Sequence, residues 1–155
     1  MKCIFCDISK RKQTAHIIWE DEKHLAFLSI YPNTPGASVV ITKEHHSSYA
    51  FDQSDNTLSD LIIAAKQTAV LLDNSLPDVA RTGMILEGYG VDHLHAKLFP
   101  MHQTGNSSKF KKINSNIATF FTRYEGYISS HDGKREDDST LEKQASMIRA
   151  YNFKI

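Results

Sequence analysis

Residues 91–100 carry the side chains whose types and spacing are best suited to chemistry. They read Val-Asp-His-Leu-His-Ala-Lys-Leu-Phe-Pro, so His93, His95 and Lys97 alternate with apolar residues. Alternate side chains of a β-strand point to one face, about 6 to 7 Å apart, which is close enough for three groups to surround one phosphate. A neutral imidazole is a competent nucleophile toward phosphorus near pH 7. The alternative is an edge strand whose polar face only meets water.

The two cysteines form a second candidate group. Cys3 and Cys6 are separated by two residues and are the only cysteines in the chain. Such a pair supplies two of the four ligands that zinc takes. The alternative is a pair of reduced, partly buried thiols, and a thioredoxin-like pair is disfavoured because the spacing does not fall between a strand and a helix. The sequence therefore predicts thiols or metal ligands rather than a structural disulfide.

Length and composition limit the classes to which the chain can belong. Its 155 residues predict a single domain over residues 1–155, and 41% hydrophobic and 23% charged residues are typical of a globular protein. Eighteen Lys and Arg balance eighteen Asp and Glu, so charge predicts neither nucleic acid nor an acidic membrane as a partner. The basic cluster at residues 109–112 is interpreted as a solvated turn rather than a phosphate site.

Two features of the sequence indicate where in the cell the protein is expected. The chain has no run of about 18 apolar residues, so no transmembrane helix is predicted. Asp7 interrupts the first apolar segment, so the N-terminus has no signal-peptide core. We therefore expect a cytoplasmic protein.

Hydrophobic periodicity predicts the elements that position these side chains. Apolar residues recur at spacings of three and four from Leu58 to near Asn74, which predicts a helix with its cap among residues 55–57. The capping box Ser139–Glu142 begins a predicted final helix. Strands are predicted at 16–20, 25–30, 38–42, 82–86, 94–99 and 120–128. This order predicts an α+β domain on a mainly antiparallel sheet, with one central helix and one C-terminal helix.

Several segments, taken together, resemble the histidine triad (HIT) superfamily of nucleotide hydrolases and transferases. The segment from His93 resembles the family signature His-x-His-x-His, with Lys97 in the third position. Residues 3–103 carry the resemblance, and 104–155 form a C-terminal extension. The resemblance implies a HIT-like fold and a homodimer. The N-terminal segments that match in order and spacing are 3–8, 17–22, 25–32 and 35–45.

The chemistry implied by this resemblance is centred on His95. In the family the middle histidine attacks the α-phosphorus of a nucleotide, and water or another acceptor then resolves the nucleotidyl-histidine. The substrate would be a purine nucleotide, either a diadenosine polyphosphate or a nucleoside phosphoramidate. His93 would orient His95. Because an ammonium group is a weak acid near pH 7, Lys97 is expected to contribute charge at the phosphate rather than protonate the leaving group.

Nucleotide recognition is implied at five positions. Phe5, Ile8, Phe27 and Ile30 match the family's apolar base pocket, with ordinary hydrophobic core as the alternative for each. Ser29 stands where the family commonly has an aspartate that accepts ribose hydroxyls, so its neutral hydroxyl predicts weaker or altered ribose recognition. The turn 88–91 is also shorter than the phosphate-contacting segment of related proteins.

The resemblance completes a metal site as well. Some family members with an N-terminal Cys-x-x-Cys bind structural zinc, which here implies the ligand set Cys3, Cys6, His45 and His93, with His46 competing for the place of His45. Such a zinc would be structural, and the chemistry at His95 would require no cofactor.

Three other functions stay open at this point. Lys97 and Ser29 also fit a catalytically weak nucleotide-binding or regulatory protein. A phosphorylase-like transferase would use Lys97 to hold an incoming phosphate. A zinc-binding interaction module would bind metal without nucleotide.

Overall fold

In the computed structural model, residues 3–105 and 132–152 are described. Residues 106–131 contain the predicted strand 120–128 and the basic cluster 109–112, so both predictions lie outside the described residues. The helices are α1 (Ile4–Ser9), α2 (Asp55–Ser75) and α3 (Asp138–Asn152), with a 3-10 turn at Ala50–Asp52. The strands are β1 (Ile17–Glu20), β2 (His24–Leu28), β3 (Ser38–Thr42), β4 (Thr82–Ile85) and β5 (His95–Pro100).

The five strands form one sheet in the order β1-β2-β3-β5-β4. Every neighbouring pair is antiparallel. All residues of β2 and β3 are buried, as expected of inner strands with both faces covered. The α+β prediction with a mainly antiparallel sheet is therefore confirmed.

The two faces of the sheet have different roles. One face packs against α2 and α3 and forms the larger core, which includes Leu28, Val40 and Leu98. On the other face, Phe5 and Ile8 of α1 pack against a smaller apolar cluster. His95 pairs with Ile41, a member of that smaller cluster, so the nucleophile candidate lies on the α1 face.

The predicted helices are present, but both caps differ from prediction. Ser54, not a residue of 55–57, caps α2 by accepting a hydrogen bond from the Thr57 backbone N–H at 3.1 Å. At α3, Asp137 accepts from the Thr140 N–H at 3.0 Å, so the capping-box interpretation is wrong. Glu142 does not act as the capping-box glutamate, because its carboxylate binds His16 and Arg149 instead.

The short helix α1 was not predicted, since six residues are too few to show a helical period. It begins directly after Cys3 and contains Cys6. A helix of six residues is not stable on its own. Its place on the sheet comes from the apolar contacts of Phe5 and Ile8.

The C-terminal helix joins the main core. Leu141, Ala145 and Ile148 are fully buried and belong to the same apolar cluster as α2. Arg149 donates to the Ile17 carbonyl of β1, which ties the helix to the sheet edge. Among the described residues, no helix combines the length and apolar character that crossing a bilayer demands.

Candidate functional site

His95 is held as a neutral imidazole with one defined reactive nitrogen. Its Nδ1 lies 2.6 Å from the His93 carbonyl oxygen, which can only accept, so Nδ1 carries the proton. Nε2 therefore keeps its lone pair. Burial lowers the pKa of His95 below its ordinary value, and the positive charge of Lys97 lowers it further. The ring is neutral near pH 7, and its Nε2 can act as a base or a nucleophile.

Lys97 lies beside His95 on the same strand and is paired with an acid. Its ammonium donates to the carboxylate of Glu87, whose side chain is only 6% exposed. The Lys97 side chain is 25% exposed and lines the same cavity as His95. Glu87 thus holds the Lys97 ammonium at the cavity that His95 lines, where its charge can stabilise negative charge on a phosphate.

His93 is completely buried and precedes β5. His95 and Lys97 therefore line the same cavity. The His93 ring instead contacts Thr42 and the two cysteines. Its Nε2 lies 2.8 Å from the Thr42 carbonyl and donates to it, leaving the Nδ1 lone pair free. That Nδ1 lies 3.4 Å from the Cys3 Sγ and 3.5 Å from the Cys6 Sγ.

The ligand atoms of Cys3, Cys6, His45 and His93 all lie within 4.8 Å of one another. His45 completes the group, with its Nδ1 3.4 Å from the Cys6 Sγ. Around a tetrahedral zinc with ordinary bond lengths, sulfur and nitrogen ligands are about 3.6 Å apart, so the observed separations fit a metal centre. His46 is not part of the group among the described residues.

The protonation states of this cluster also suit a metal. Burial lowers the pKa of His93, which keeps the ring neutral as a ligand must be. Burial, together with the neighbouring Cys3, raises the pKa of the Cys6 thiol. Metal binding would therefore release a proton from this thiol. The residues present fit a closed site with no position left for substrate.

The metal cluster and the nucleophile share one residue. His93 places its ring in the cysteine cluster, while its carbonyl accepts from the His95 Nδ1. The Phe5 ring packs against both imidazoles in T-shaped geometry, with centroid distances of 5.8 Å to His93 and 5.4 Å to His95. Fixing His93 therefore fixes the orientation of His95.

A cavity of about 350 Å³ opens in front of His95. Its volume falls within the range of about 300–1,000 Å³ usual for small-molecule sites. Its wall combines apolar side chains, such as Phe5 and Phe27, with the charged side chains of Lys97 and Asp132. All five residues that the sequence assigned to nucleotide binding line it: Phe5, Ile8, Phe27, Ser29 and Ile30.

Ser29 is engaged locally, because its Oγ accepts from the Tyr31 backbone N–H at 3.2 Å. A carboxylate enters the same cavity wall from the C-terminal segment, at Asp132. The segment is anchored nearby, since Gly133 donates to the Tyr31 carbonyl at 3.3 Å and Glu136 donates to the Ile30 carbonyl at 2.9 Å. Close packing fixes this path, as a side chain on Gly133 would collide with the backbone of Pro32.

With this geometry described, comparison with known proteins identifies the family. The sequence profile of the HIT domain matches residues 10–104. This chain belongs to the HIT family. An uncharacterized HIT-like protein of Mycoplasma genitalium is 31% identical over 127 residues, covering 79% of this chain and 89% of that protein.

Two further HIT proteins extend the comparison. The adenosine 5'-monophosphoramidase of Schizosaccharomyces pombe is 30% identical over 100 residues, covering 64% of this chain and 74% of the relative. The solved structure of a Zn-bound histidine triad family protein from Mycobacterium smegmatis superposes with a TM-score of 0.70 at 22% identity. It covers 99% of this chain and 95% of that one, which confirms the HIT-like fold.

Sequence reasoning did not assign Glu87, Tyr89 or Asp132 to this HIT site. Glu87 lies two residues beyond Ile85, the cross-strand partner of Lys97, so the β4-β5 register would have indicated a charge pair. No local signal marks Asp132, because its relation to the cavity depends on how the C-terminal extension folds back.

Proposed function

We propose that the protein is a nucleotide phosphohydrolase or nucleotidyltransferase that forms a nucleotidyl-histidine at His95. The observation that carries the proposal is the hydrogen bond from the His95 Nδ1 to the His93 carbonyl, which leaves Nε2 unprotonated in a cavity beside a cation. Membership of the HIT family supports nucleotide chemistry. The similarity to an adenosine 5'-monophosphoramidase supports transfer of a nucleoside monophosphate.

The proposed reaction has two steps. The lone pair of the His95 Nε2 forms a bond to the α-phosphorus, as the bond from that phosphorus to the leaving group breaks. The leaving group keeps the electron pair of that bond and takes up a proton from water where it needs one. A water molecule then attacks the phosphorus as the bond from phosphorus to Nε2 breaks, so that Nε2 regains its lone pair and a proton of the water passes to solvent. The products are a nucleoside monophosphate and a neutral His95.

The surrounding residues lower the barrier by position and charge. The apolar wall near Phe5 and Phe27 suits a purine base, and Ser29 and Asp132 offer oxygen acceptors for a sugar. Lys97 stabilises the charge that develops on the phosphate oxygens, while Glu87 keeps its ammonium in place.

We propose structural zinc at Cys3, Cys6, His45 and His93, supported by the sulfur–nitrogen distances and by the Zn-bound HIT neighbour. When bound, zinc would supply a crosslink between α1 and the segment before β5. His93 then holds the His95 ring through its carbonyl.

We propose that the protein acts in the cytoplasm as a homodimer, and that residues 1–155 form one domain. Exposed apolar side chains on α2 and on the edge strand β4 support self-association, among them Ile63, Val70 and Met84. Light scattering coupled to size-exclusion chromatography should give twice the mass of one chain. The Val70→Glu variant should give the mass of a single chain.

The test of the proposed function is direct. The protein is mixed with adenosine phosphoramidate or diadenosine tetraphosphate, AMP release is followed by chromatography, and rapidly quenched samples are weighed intact for a nucleotidyl adduct. His95→Ala should abolish release and adduct. His102→Asn is the matched control, because His102 binds Asp78 and the Pro35 carbonyl away from the cavity wall.

The same assay separates the other functions. Nucleotide binding without AMP release would support a regulatory binder and contradict the proposal. Strong acceleration by inorganic phosphate would support a phosphorylase-like transferase. Metal binding with no nucleotide affinity would support a zinc-binding interaction module.

A further inference from the structure

The two cysteines lie on one helical turn, at the start of α1. Cys3 directly precedes the helix, and its carbonyl accepts from the Asp7 backbone N–H at 3.1 Å, which closes the first turn. Residues three apart on such a turn are neighbours, with Cβ atoms about 5–6 Å apart. The Sγ atoms of Cys3 and Cys6 lie within 4.8 Å of each other. A disulfide between them therefore needs only a small further approach.

The backbone of Cys3 allows that approach. A disulfide brings the two Cβ atoms to about 3.5–4.5 Å. Cys3 has φ −113° and ψ 117°, which is an extended conformation, so the residue lies outside the regular helix that holds Cys6. Rotation about the bonds of this one residue can therefore bring the sulfurs together.

The cluster that contains the cysteines lies at the surface of the fold. Cys3 and Cys6 are partly buried, and His45 beside them is exposed. Ile4, between the two cysteines, is 43% exposed. A small oxidant such as hydrogen peroxide can therefore reach the sulfurs in the folded chain.

The proposed metal site and a disulfide compete for the same two sulfurs. A cysteine that coordinates zinc is a thiolate, and the thiolate is the form that peroxides oxidise. A Cys3–Cys6 disulfide would leave only the nitrogens of His45 and His93, which are two of the four ligands that zinc takes. Oxidation of the pair would therefore release the metal.

Loss of the metal would change how α1 is held. With metal bound, α1 would be crosslinked to His45 and His93, whereas a Cys3–Cys6 disulfide joins α1 only to the residue before it. The remaining ties of α1 to the rest of the fold include apolar contacts and a hydrogen bond from the Ser9 Oγ to the Lys43 carbonyl at 3.2 Å. We expect α1 to become more mobile.

The mobility of α1 matters for the cavity because Phe5 belongs to both. Phe5 lies between the two cysteines in the chain, and its ring lines the cavity. The same ring packs against His95 at a centroid distance of 5.4 Å. Ile4 and Ile8 of α1 line the cavity as well. The cysteine pair thus flanks a part of the cavity wall that contacts the nucleophile.

We propose that Cys3 and Cys6 form a redox-sensitive pair, which a peroxide converts from metal ligands into a disulfide, with release of the metal and loosening of α1 at the cavity. The inference goes beyond the proposed function, although its effect on turnover rests on that function. Reversible oxidation of this kind is typical of sensor cysteines in a reducing compartment.

The oxidation takes place in two balanced steps. One thiolate sulfur attacks a peroxide oxygen as the O–O bond breaks, which gives a sulfenic acid and a hydroxide that takes a proton from solvent. The second thiolate attacks the sulfenic sulfur as its S–O bond breaks, and the departing hydroxide takes a second proton. The two sulfurs together lose two electrons, and the peroxide is reduced to two water molecules.

The test treats the full chain, loaded with zinc, with hydrogen peroxide. The intact mass should fall by two hydrogen atoms, and a colorimetric chelator should detect one released zinc per disulfide. Because the chain has only two cysteines, a monomer on a non-reducing gel assigns the bond to Cys3 and Cys6. The backbone amides of Asp7 and Lys10, which donate within α1, should exchange hydrogen faster. Dithiothreitol with added zinc should reverse all these changes.

Turnover supplies a further readout. Peroxide should lower kcat/KM for AMP release from adenosine phosphoramidate by about tenfold or more, and dithiothreitol with zinc should restore it. Cys6→Ser is the matched control for oxidation elsewhere, because it keeps the four methionines but cannot form the pair. Peroxide should not remove two hydrogens from this variant or lower its AMP release further.

The outcomes separate the redox pair from the proposed reaction. Peroxide that adds oxygen to the chain while zinc stays bound would overturn the pair. A disulfide that leaves the exchange of the α1 amides unchanged would overturn the link to the cavity. If the reduced parent releases no AMP, the proposed function fails, while mass, zinc release and hydrogen exchange still decide whether the pair exists.

Discussion

The pair between Lys97 and Glu87 gives a prediction that separates stability from catalysis. Lys97→Met removes the ammonium and keeps an unbranched apolar side chain of similar length. It leaves the Glu87 carboxylate, 6% exposed, without its partner. A buried charge that loses its partner cannot regain full hydration in the folded protein.

The expected loss of stability depends on how deeply the Lys97–Glu87 pair is buried. Removing one member of a fully buried pair costs about 3–5 kcal/mol. Because Lys97 itself is 25% exposed, water reaches part of the site, and we expect a loss of about 2–3 kcal/mol in the free energy of unfolding. The double variant Lys97→Met with Glu87→Gln removes both charges and should recover at least half of that loss.

Urea unfolding measures this cycle. With a slope of about 2 kcal/mol per molar, the single variant should lower the midpoint by roughly 1 M. Lys23→Met is the matched control, since it breaks the exposed pair with Asp60 and should barely move the midpoint. Equal midpoints for the single and double variants would refute the reasoning.

Activity should behave differently from stability in the same variants. Lys97→Met should lower kcat/KM for AMP release by about 100-fold, because one charge is lost beside the reacting phosphate. The double variant should stay equally slow although it is more stable, since no cation is restored. Recovery of activity in the double variant would show that Lys97 serves the fold alone.

Three further predictions concern the metal, the C-terminal helix and pH. Protein purified without chelator should contain zinc or iron near one equivalent by elemental analysis, and Cys6→Ser should lose most of it; a metal-free parent would contradict the site. Ile148→Ala should cost about 2–5 kcal/mol in urea unfolding, and an unchanged midpoint would show that α3 lies outside the core. The hydrogen bond from His16 holds the pKa of Asp138 below its usual value, so this contact stabilises the protein above about pH 4 and is lost as pH falls through the folded pKa. Thermal unfolding should show that loss, and His16→Asn should reduce it.

The pattern of apolar and polar residues along the chain was sufficient to predict the main strands and helices. The alternation around His95 and the helical spacing from Leu58 are properties of neighbouring residues, and they predicted β5 and α2 within a few positions. The caps were harder. Ser54 and residues 55–57 are all polar near the helix start, and only the folded backbone decides which one meets a free N–H.

The metal group shows a prediction that needed a family resemblance. The spacing of Cys3 and Cys6 indicated two ligands, while His45 and His93 lie far along the chain and were assigned by similarity. The structure brings all four ligand atoms within 4.8 Å of one another. It also supplies the reason that His93 can bind with Nδ1, because its Nε2–H is held by the Thr42 carbonyl.

The sequence by itself determined which side chains alternate along each strand and where apolar residues repeat, because those patterns depend on backbone geometry over a few residues. Only the tertiary structure decided that Glu87 pairs with Lys97, and that Tyr89 and Asp132 line the same cavity as His95. Such relations join residues through the packing of separate elements, and their spacing in the chain carries no trace of the distance between them in space.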